Sequence, residues 1–285
     1  MIKINNNAMT HGGKFHADDV FSAALLRIVN PDIKIIRAFD VPEGFDGIVF
    51  DMGGGKFDHH QRDAEVRENG VPYAAFGLLW REFGESVLCA ALCPPEKAAK
   101  EASRFDETFI EPLDADDNLN TGSQLAGVIG AFNPSWDSAE SPDQRFFEAL
   151  NFATIILNRK IDGIISVQRA RDFVEGALFK SKDGIVVLPK FAPWKMVLSK
   201  SDAEFVVYPS QRGGFAAQAI PEDTDHKELK CSFPQDWAGK PEDELKRISG
   251  VDTLNFCHKG RFLITAGSLN DAVKACKLAG HKKRK

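Results

Sequence analysis

The spacing of apolar residues predicts alternating helices and strands over the first 60 residues. Asp18 to Val29 (DDVFSAALLRIV) repeats apolar residues at helical intervals and carries two acids in its first turn, where the helix dipole favours them. Lys34 to Arg37 and Gly47 to Phe50 are short apolar runs, typical of buried strands in a parallel sheet. This part of the chain is therefore predicted to be an α/β domain with a mainly parallel sheet.

Helical patterns dominate the middle of the chain. An amphipathic helix is predicted over residues 72–92, because Pro72 suits a helix start and FGLLWREFG follows with apolar residues on one face. Further helices are predicted over residues 98–105, 143–157 and 161–179. Residues 117–142 are rich in Gly, Asn, Ser and Pro, which predicts a loop or a partial helix.

Beyond residue 182 the pattern changes to short β-like runs separated by turn residues. The predicted strands are 185–188, 204–208, 215–220, 253–258 and 261–265, and the predicted helices are 242–249 and 269–278. We therefore predict a domain boundary near Lys182. The α/β domain then covers residues 1–182, and a smaller α+β domain covers residues 183–285.

The composition is that of a globular protein, with 43% apolar and 27% charged residues. No apolar run approaches the roughly 18 residues of a transmembrane helix, and the amino terminus lacks the plan of a signal peptide. Cys89 and Cys93 have no second pair that would complete a zinc site, and we interpret all five cysteines as reduced thiols. These features predict a cytoplasmic protein with no membrane partner.

The charge balance limits the partners of the chain. Lys plus Arg number 36 and Asp plus Glu number 41, which gives a net charge of −5. This balance argues against a protein that coats long stretches of nucleic acid by charge alone. A nuclease is still allowed, because a bound metal ion can supply positive charge where the phosphate lies.

Three clusters of residues that can bind metals lie in the first 60 residues. They are His11, His16 and Asp18 in THGGKFHADD, then Asp51 in VFDMGG, then Asp58, His59 and His60 in KFDHHQ. Because ligand sites in open α/β sheets lie at the carboxyl ends of strands, we expect the clusters to converge. Imidazole with carboxylate suits Mn²⁺, Fe²⁺ or Zn²⁺, and the abundance of carboxylates favours Mn²⁺.

Two other motifs fail on their spacing. Gly53 to Lys56 resembles a phosphate-binding loop, but Phe57 follows where Ser or Thr is needed. Asp114 to Asn118 begins like an EF-hand calcium loop, but leucines stand at the positions that need Gly and Glu. The sequence therefore excludes both sites.

Taken in order, the metal motifs resemble those of the DHH phosphoesterase superfamily. The set THGGKFHADDVFSAALLR, VFDMGG, FDHHQ and LDADDN is similar to one branch, the melanocyte proliferating gene exonuclease family. Two later segments, IPEDTDHKELKCSFPQDWAG and FCHKGRFLITAGSLNDAVKACKLA, also resemble that branch. The resemblance thus covers most of the chain.

The resemblance implies a pair of Mn²⁺ or Mg²⁺ ions in a cleft between the two domains. The implied ligands are His11, His16, Asp18, Asp51, His59 and Asp114, with Asp117 as the alternative to Asp114. Asp51 is expected to bridge the ions, since a bridge needs a carboxylate and an imidazole nitrogen offers one lone pair. His60 is expected to face the substrate phosphate, and Asp58 to orient its neighbour.

The second domain departs from the superfamily pattern. The usual glycine-rich segment that holds substrate is reduced here to Ile264–Ser268 (ITAGS). The candidate substrate-binding residues in this region are His258, Lys259, Arg261 and Gly267.

The function implied by the resemblance is that of a metal-dependent phosphodiesterase, a 3′–5′ exonuclease on RNA or short oligonucleotides. The reduced glycine segment favours an alternative, hydrolysis of a small phosphoester or phosphoanhydride such as pyrophosphate, a cyclic dinucleotide or a nucleoside bisphosphate. A third hypothesis is a metal-stabilised binding or scaffold protein without turnover.

Overall fold

The computed structural model of the chain describes residues 4–223 and 228–283. The chain divides into two compact units, Met1–Ile165 and Ser166–Lys285. The first unit contains a three-stranded sheet and the second a five-stranded sheet. Residues 224–227, which belong to the first of the two later segments quoted above, lie outside the described residues.

The sheet of the first unit is wholly parallel. Its strands are β1 (Asn7–His11), β2 (Lys34–Ala38) and β3 (Ile48–Val49), in the order β2-β1-β3. All three strands therefore end at the same edge, where open α/β sheets bind ligands. β1 was not predicted as a strand, because its sequence NAMTH has two apolar residues, Ala8 and Met9, which are too few to form a recognisable apolar run.

In the described part of the first unit, five α-helices precede Pro142. They are α1 (Ala17–Val29), α2 (Ala75–Ala90), α3 (Pro95–Phe105), α4 (Glu111–Leu119) and α5 (Gln124–Gly130), with a π-helical turn at Asp106–Ile110 between α3 and α4. α2 begins three residues later than predicted. Pro72 instead forms an isolated antiparallel bridge with Val66, and the free N–H groups of Ala75 and Phe76 donate to the carboxylate of Asp18.

The first ten residues of α1 are buried, including two charged ones. The Phe21 ring stacks on Phe76 of α2 at 5.5 Å and meets Phe109 edge-on at 5.6 Å. Burial of each such ring contributes about 1.5–3 kcal/mol of stability. This packing fixes the amino terminus of α1, and with it Asp18 and Asp19.

One helix, α6 (Pro142–Phe179), replaces the two helices predicted over residues 143–157 and 161–179. The prediction of a break was wrong, because residues 158–160 (NRK) contain neither Pro nor Gly and nothing ends the helix there. Leu157 and Ile161 on either side are both buried in the core. The division between the two units falls within α6.

The second unit is built on a mixed sheet. Its strands are β4 (Ile185–Val187), β5 (Phe205–Pro209), β6 (Phe215–Ala219), β7 (Leu254–Cys257) and β8 (Leu263–Ala266), in the order β4-β5-β6-β8-β7. β4 and β5 are parallel, and the other neighbours are antiparallel. The predicted strands all occur, within about two residues at their ends.

Three α-helices and a 3₁₀ helix follow α6 among the described residues of the second unit. The α-helices are α7 (Lys195–Leu198), α8 (Glu242–Ser249) and α9 (Leu269–Lys283), and the 3₁₀ helix is Gln235–Trp237. The predicted helix over residues 269–278 thus continues to Lys283, and the single turn α7 was not predicted. All five cysteines are free thiols. Within the described ranges, no helix has the length and apolar character needed to cross a membrane.

Candidate metal centre

Side chains between His11 and Gly130 line a cavity of about 1110 Å³ at the carboxyl edge of the parallel sheet. β1 ends at His11, and Asp51 comes two residues after β3. α1 and α4 supply the carboxylates of Asp18 and Asp117, and His59 lies on the loop that follows Asp51. Five of the predicted metal-binding residues meet here, and of these Asp18 lies close to His59 and Asp117 without itself lining the cavity.

Asp51 lies at the centre of this group. Its backbone has a positive φ of 56°, a conformation that is uncommon for a residue other than glycine and recurs at functional sites. One carboxylate oxygen, Oδ2, lies 3.2 Å from His11 Nε2, and the other, Oδ1, lies 3.0 Å from His59 Nε2. The carboxylate can thus reach two cations from its two oxygens.

His11 and His59 are oriented in the same way. His11 Nδ1 lies 3.1 Å from the carbonyl oxygen of Gly12, and His59 Nδ1 lies 3.1 Å from Asn118 Oδ1. A proton on each Nδ1 is therefore held by an oxygen, and each Nε2 is directed at carboxylates. Metal-binding histidines in proteins are commonly held by such an outer hydrogen bond.

Asp18 and Asp19 are held at the start of α1. Asp18 Oδ1 and Oδ2 accept backbone N–H groups of α2 at 2.7 and 3.0 Å. Asp19 Oδ1 accepts the N–H of His16 at 2.8 Å. Asp19 Oδ2 lies 3.4 Å from His11 Nε2 and, within the described residues, is buried without a hydrogen bond.

Asp19 belongs to the site although the sequence analysis did not select it. It forms one of the groups that could hold a metal ion, together with His11 and Asp51. Its position in the sequence, as the second acid of HADD, could have indicated a ligand. The sequence analysis instead interpreted both acids of HADD as favourable charges at the start of a helix. The unsatisfied Oδ2 shows that this carboxylate also faces the other charged groups.

Asp114 and Asp117 are both on α4 but lie in different surroundings. Asp117 Oδ2 is 3.3 Å from His59 Nε2, and Asp117 forms a candidate metal-binding group with Asp18 and His59. Asp114, which the sequence analysis favoured, instead accepts Arg67 at 2.7 Å and the N–H of Gly77 at 3.3 Å. None of the candidate groups found among the described residues includes Asp114.

Asp58 and His60 form a pair beside the central carboxylate. Asp58 Oδ1 accepts the backbone N–H of His60 at 3.0 Å and lies 2.9 Å from its Nδ1, while Oδ2 accepts the N–H of Gly54 at 2.7 Å. The His60 side chain is 62% exposed, which leaves its Nε2 open toward the cavity that it lines. His16 also lines the cavity, with its ring centroid 6.3 Å from that of His11.

The electrostatics of the imidazoles follow from the central carboxylate. The hydrogen bond to Asp51, with a further contribution from Asp19, raises the pKa of His11 to about 9. Burial lowers the pKa of His59, but the hydrogen bond and charge of Asp51 outweigh it and raise this pKa to about 9. Burial also opposes ionisation of Asp51, yet its two histidine partners lower its pKa to about 2.

The remaining carboxylates are crowded and short of positive charge. Burial, followed by repulsion from Asp51, raises the pKa of Asp18 well above its usual range and raises that of Asp117. The same two causes raise the pKa of Asp19 to about 7. A divalent cation among these oxygens would relieve both the repulsion and the unsatisfied Oδ2 of Asp19. The donor set of carboxylate oxygens and imidazole nitrogens therefore fits Mn²⁺ or a similar ion.

The candidate substrate residues of the second unit lie around β7 and β8. His258 Nδ1 accepts the N–H of Gly260 at 2.9 Å, and Lys259 is exposed beside it on the same turn. Arg261 lines a cavity of about 440 Å³ together with Asp236. Gly267 donates its N–H to the carbonyl and hydroxyl oxygens of Thr253, both at 3.0 Å.

Comparison with known proteins identifies relatives along almost the whole chain. The family model MYG1_exonuc, described as an uncharacterised protein family (UPF0160), matches residues 7–279. The MYG1 exonuclease of Homo sapiens is 28% identical over 302 residues, which cover 89% of this chain and 80% of the human protein. The branch resemblance found in the sequence is thereby confirmed.

Relatives also occur in a yeast and in a bacterium. The MYG1 protein of Schizosaccharomyces pombe is 26% identical, over 89% of this chain and 91% of its own length. The MYG1 protein of Chlamydia muridarum is 29% identical, over 98% of this chain and 96% of its own length. No solved structure matches the chain.

Proposed function

The chain belongs to the MYG1_exonuc family, and on that premise we propose that it is a metal-dependent phosphodiesterase of the DHH type. Relatives from human, rat and mouse are named exonucleases. This naming suggests a nuclease and hence a nucleic-acid substrate. We propose further that the reaction is 3′–5′ removal of nucleotides from RNA or short oligonucleotides.

The observation that carries this proposal is the surroundings of Asp51. Its two oxygens face His11 and His59, and candidate metal-binding groups form on either side of it. His11, Asp18, Asp51, His59 and Asp117 are the proposed ligands, with Asp19 completing the side near His11. Two divalent ions bound here would supply a hydroxide at neutral pH and neutralise charge on the phosphate.

The protein's own groups then position the substrate and move a proton. Asp58 holds the Nδ1–H of His60, so the exposed Nε2 of His60 can donate a proton or a hydrogen bond to a phosphate oxygen when the ring also carries a proton on Nε2. Asn118 and the Gly12 carbonyl keep Nε2 of His59 and His11 directed at the site. His258, Lys259 and Arg261 remain proposed contacts for the substrate, as does the Gly267 segment.

The test of the proposed function is an end-labelled short RNA incubated with Mn²⁺-loaded protein. A ladder that shortens from the 3′ end in single-nucleotide steps is expected with the natural chain and not with Asp51→Asn. Asp32→Asn, which alters an exposed acid just before β2, is the matched control and should cleave normally. Folded, metal-loaded protein that leaves the RNA intact would refute the exonuclease proposal.

One observation favours the alternative, a small phosphoester or phosphoanhydride as substrate. The N–H groups of Gly267 and Ser268 are already taken by Thr253, so this segment offers a polymer fewer free backbone donors. A competition assay distinguishes the two substrate classes. An oligonucleotide is offered together with pyrophosphate, a cyclic dinucleotide or a nucleoside bisphosphate. Preferred turnover of a small phosphate would establish the alternative. A scaffold protein predicts that Asp51→Asn lowers thermal stability while no reaction is lost.

A further inference from the structure

Phe39 is a large apolar side chain exposed to water beside the candidate metal centre. It follows β2 directly, and 80% of its surface is accessible. The register of β1 and β2 pairs His11 with Ala38. Gly12 and Phe39, the next residues of the two strands, therefore lie side by side at the carboxyl edge of the sheet. Phe39 thus directly follows Ala38, which pairs with the proposed metal ligand His11.

Two glycines make room for the Phe39 ring. A Cβ atom on Gly12 would lie 3.3 Å from Cζ of Phe39, and one on Gly13 would lie 3.5 Å from Cε1. Gly13 also has a φ of +79°, which disfavours any other residue there. The ring therefore packs against bare backbone, and most of its surface is left open.

The loop under the ring is held at several points. The N–H of Gly12 donates to the carbonyl of Ala38 at 2.7 Å. Arg37 donates to the carbonyl of Gly13 at 2.8 Å. Asn133 bonds both the N–H and the carbonyl of Phe15, at 3.0 and 2.8 Å. A ligand that contacts Phe39 meets a surface that is already ordered, so little ordering entropy is lost on binding.

The chain after Phe39 also reaches the loop that carries Asp51. A Cβ atom on Gly53 would lie 3.0 Å from Cγ2 of Val41. The segment from Phe39 to Val41 thus lies against the loop after His11 at one end and the loop after Asp51 at the other. An exposed ring on this segment borders the reaction site proposed above.

The chemistry of the cavity indicates which ligand can use such a ring. Lys14 is the one lysine or arginine among the described residues that line the cavity. A ligand made of phosphate alone gains nothing from Phe39. A nucleobase, by contrast, can stack on an open aromatic ring, and loss of one such contact weakens binding by about 5- to 150-fold.

Resting on the proposed function, we propose that Phe39 stacks on the nucleobase next to the cleaved phosphodiester, with Lys14 contacting the adjacent phosphate. The substrate class is then a single-stranded oligonucleotide with an intact base at the end being removed. The terminal base of a duplex is paired and stacked on its neighbour, and freeing it costs energy that a single strand does not lose.

The test compares Phe39→Ala and Phe39→Trp on a five-nucleotide RNA and on the same RNA with an abasic 3′ residue. Phe39→Ala should raise KM for the intact RNA about 5- to 150-fold with a smaller effect on kcat. For the abasic RNA, Phe39→Ala should leave KM unchanged, because this RNA has no base to stack. Phe39→Trp should bind the intact RNA as the natural chain does. Phe179→Ala is the matched control, since Phe179 is 92% exposed and belongs to the second unit.

Equal losses on both RNAs, or no loss at all, would overturn the role of Phe39. A second readout separates this failure from failure of the proposed function. A phosphorothioate oligonucleotide with 2-aminopurine at its 3′ end should lose fluorescence on binding the natural chain and keep it with Phe39→Ala. Quenching that depends on Phe39, without cleavage of ordinary RNA, would support base stacking by Phe39 and refute the exonuclease activity. Cleavage of RNA with identical quenching in the natural chain and in Phe39→Ala would support the exonuclease activity and refute base stacking by Phe39.

Discussion

At the scale of single residues, the site depends on which carboxylates have a protein partner and which do not. Asp114 is paired with Arg67 at 2.7 Å inside the first unit, although its burial is strong enough to raise its pKa to about 7. Asp117, one helical turn later, lies 3.3 Å from His59 Nε2 and is repelled by Asp51, and no lysine or arginine of the described residues forms an ion pair with it. The motif LDADDN offers both residues. The Arg67 partner, 47 residues away from Asp114 in the chain, cannot be inferred from local spacing.

The two aspartates should therefore respond differently to substitution. Asp114→Asn should lower the free energy of unfolding by about 1–3 kcal/mol, because one N–H of the buried Arg67 guanidinium loses its carboxylate acceptor while Asp106 still pairs with Arg67. Asp117→Asn should leave the stability of the metal-free protein unchanged or raise it, because a repelled charge is removed. It should weaken Mn²⁺ binding by more than about 100-fold, beyond the loss typical of outer-shell partners.

Denaturant unfolding and calorimetric titration with Mn²⁺ measure these two effects. The opposite pattern, with Mn²⁺ affinity lost in Asp114→Asn and kept in Asp117→Asn, would return Asp114 to the ligand set.

With His11 and His59 as proposed ligands, metal binding should depend on pH. The pKa values of His11 and His59 are about 9 without a metal, so both imidazoles carry a proton at pH 7. An imidazole binds a cation only in its neutral form. Mn²⁺ binding at pH 7 should therefore release at least two protons, since the raised pKa values of Asp18 and Asp19 add to the count, and the affinity should rise as the pH increases toward 9. Titrations in two buffers of different ionisation enthalpy count these protons, and a count of zero would contradict the ligand assignment.

At the scale of elements, α2 links the site to the core. Its first N–H groups hold Asp18, and Gly77 lies against the pair formed by Asp114 and Arg67. A Cβ atom on Gly77 would come within 2.0 Å of Asp114 Oδ2 and 2.7 Å of a guanidinium nitrogen of Arg67. The helix therefore needs glycine at this position despite its low helix propensity.

Gly77→Ala should destabilise the protein by about 1–3 kcal/mol, as expected for overpacking in a core. Gly163→Ala on α6 is the matched control, because no heavy atom lies within 4 Å of its added Cβ. That substitution should instead stabilise by about 0.4–1 kcal/mol. Thermal unfolding of the two variants measures both changes, and equal changes of the same sign would refute the packing argument.

The elements differ in how well the sequence predicts them. The strands of the second unit were predicted because each is a compact apolar run between turn residues. The single helix α6 was not, because a brief polar interval in the sequence does not show whether the backbone turns. The convergence of the clusters followed from the parallel sheet, whose strand ends share one edge. Asp19 was missed because its role depends on the orientation of one oxygen.

At the scale of the whole molecule, a net charge of −5 limits how the chain holds nucleic acid. Bound cations and a few side chains must supply the positive charge that the surface lacks. Oligonucleotide binding should therefore depend weakly on salt. For about three neutralised phosphates on a single strand, the slope of log K against log salt should be near −2. Fluorescence anisotropy between about 50 and 200 mM salt measures it, and a much steeper slope would mean an extended basic surface.

The most direct test of the metal centre is anomalous X-ray diffraction from crystals of the chain soaked in Mn²⁺. Two Mn²⁺ peaks about 3.5–4 Å apart are expected, with Asp51 bound to both and His11, Asp18, His59 and Asp117 completing the ligands. Crystals of Asp51→Asn should lose at least one of the peaks. The absence of any peak at these residues, or peaks that are unchanged in Asp51→Asn, would contradict the account.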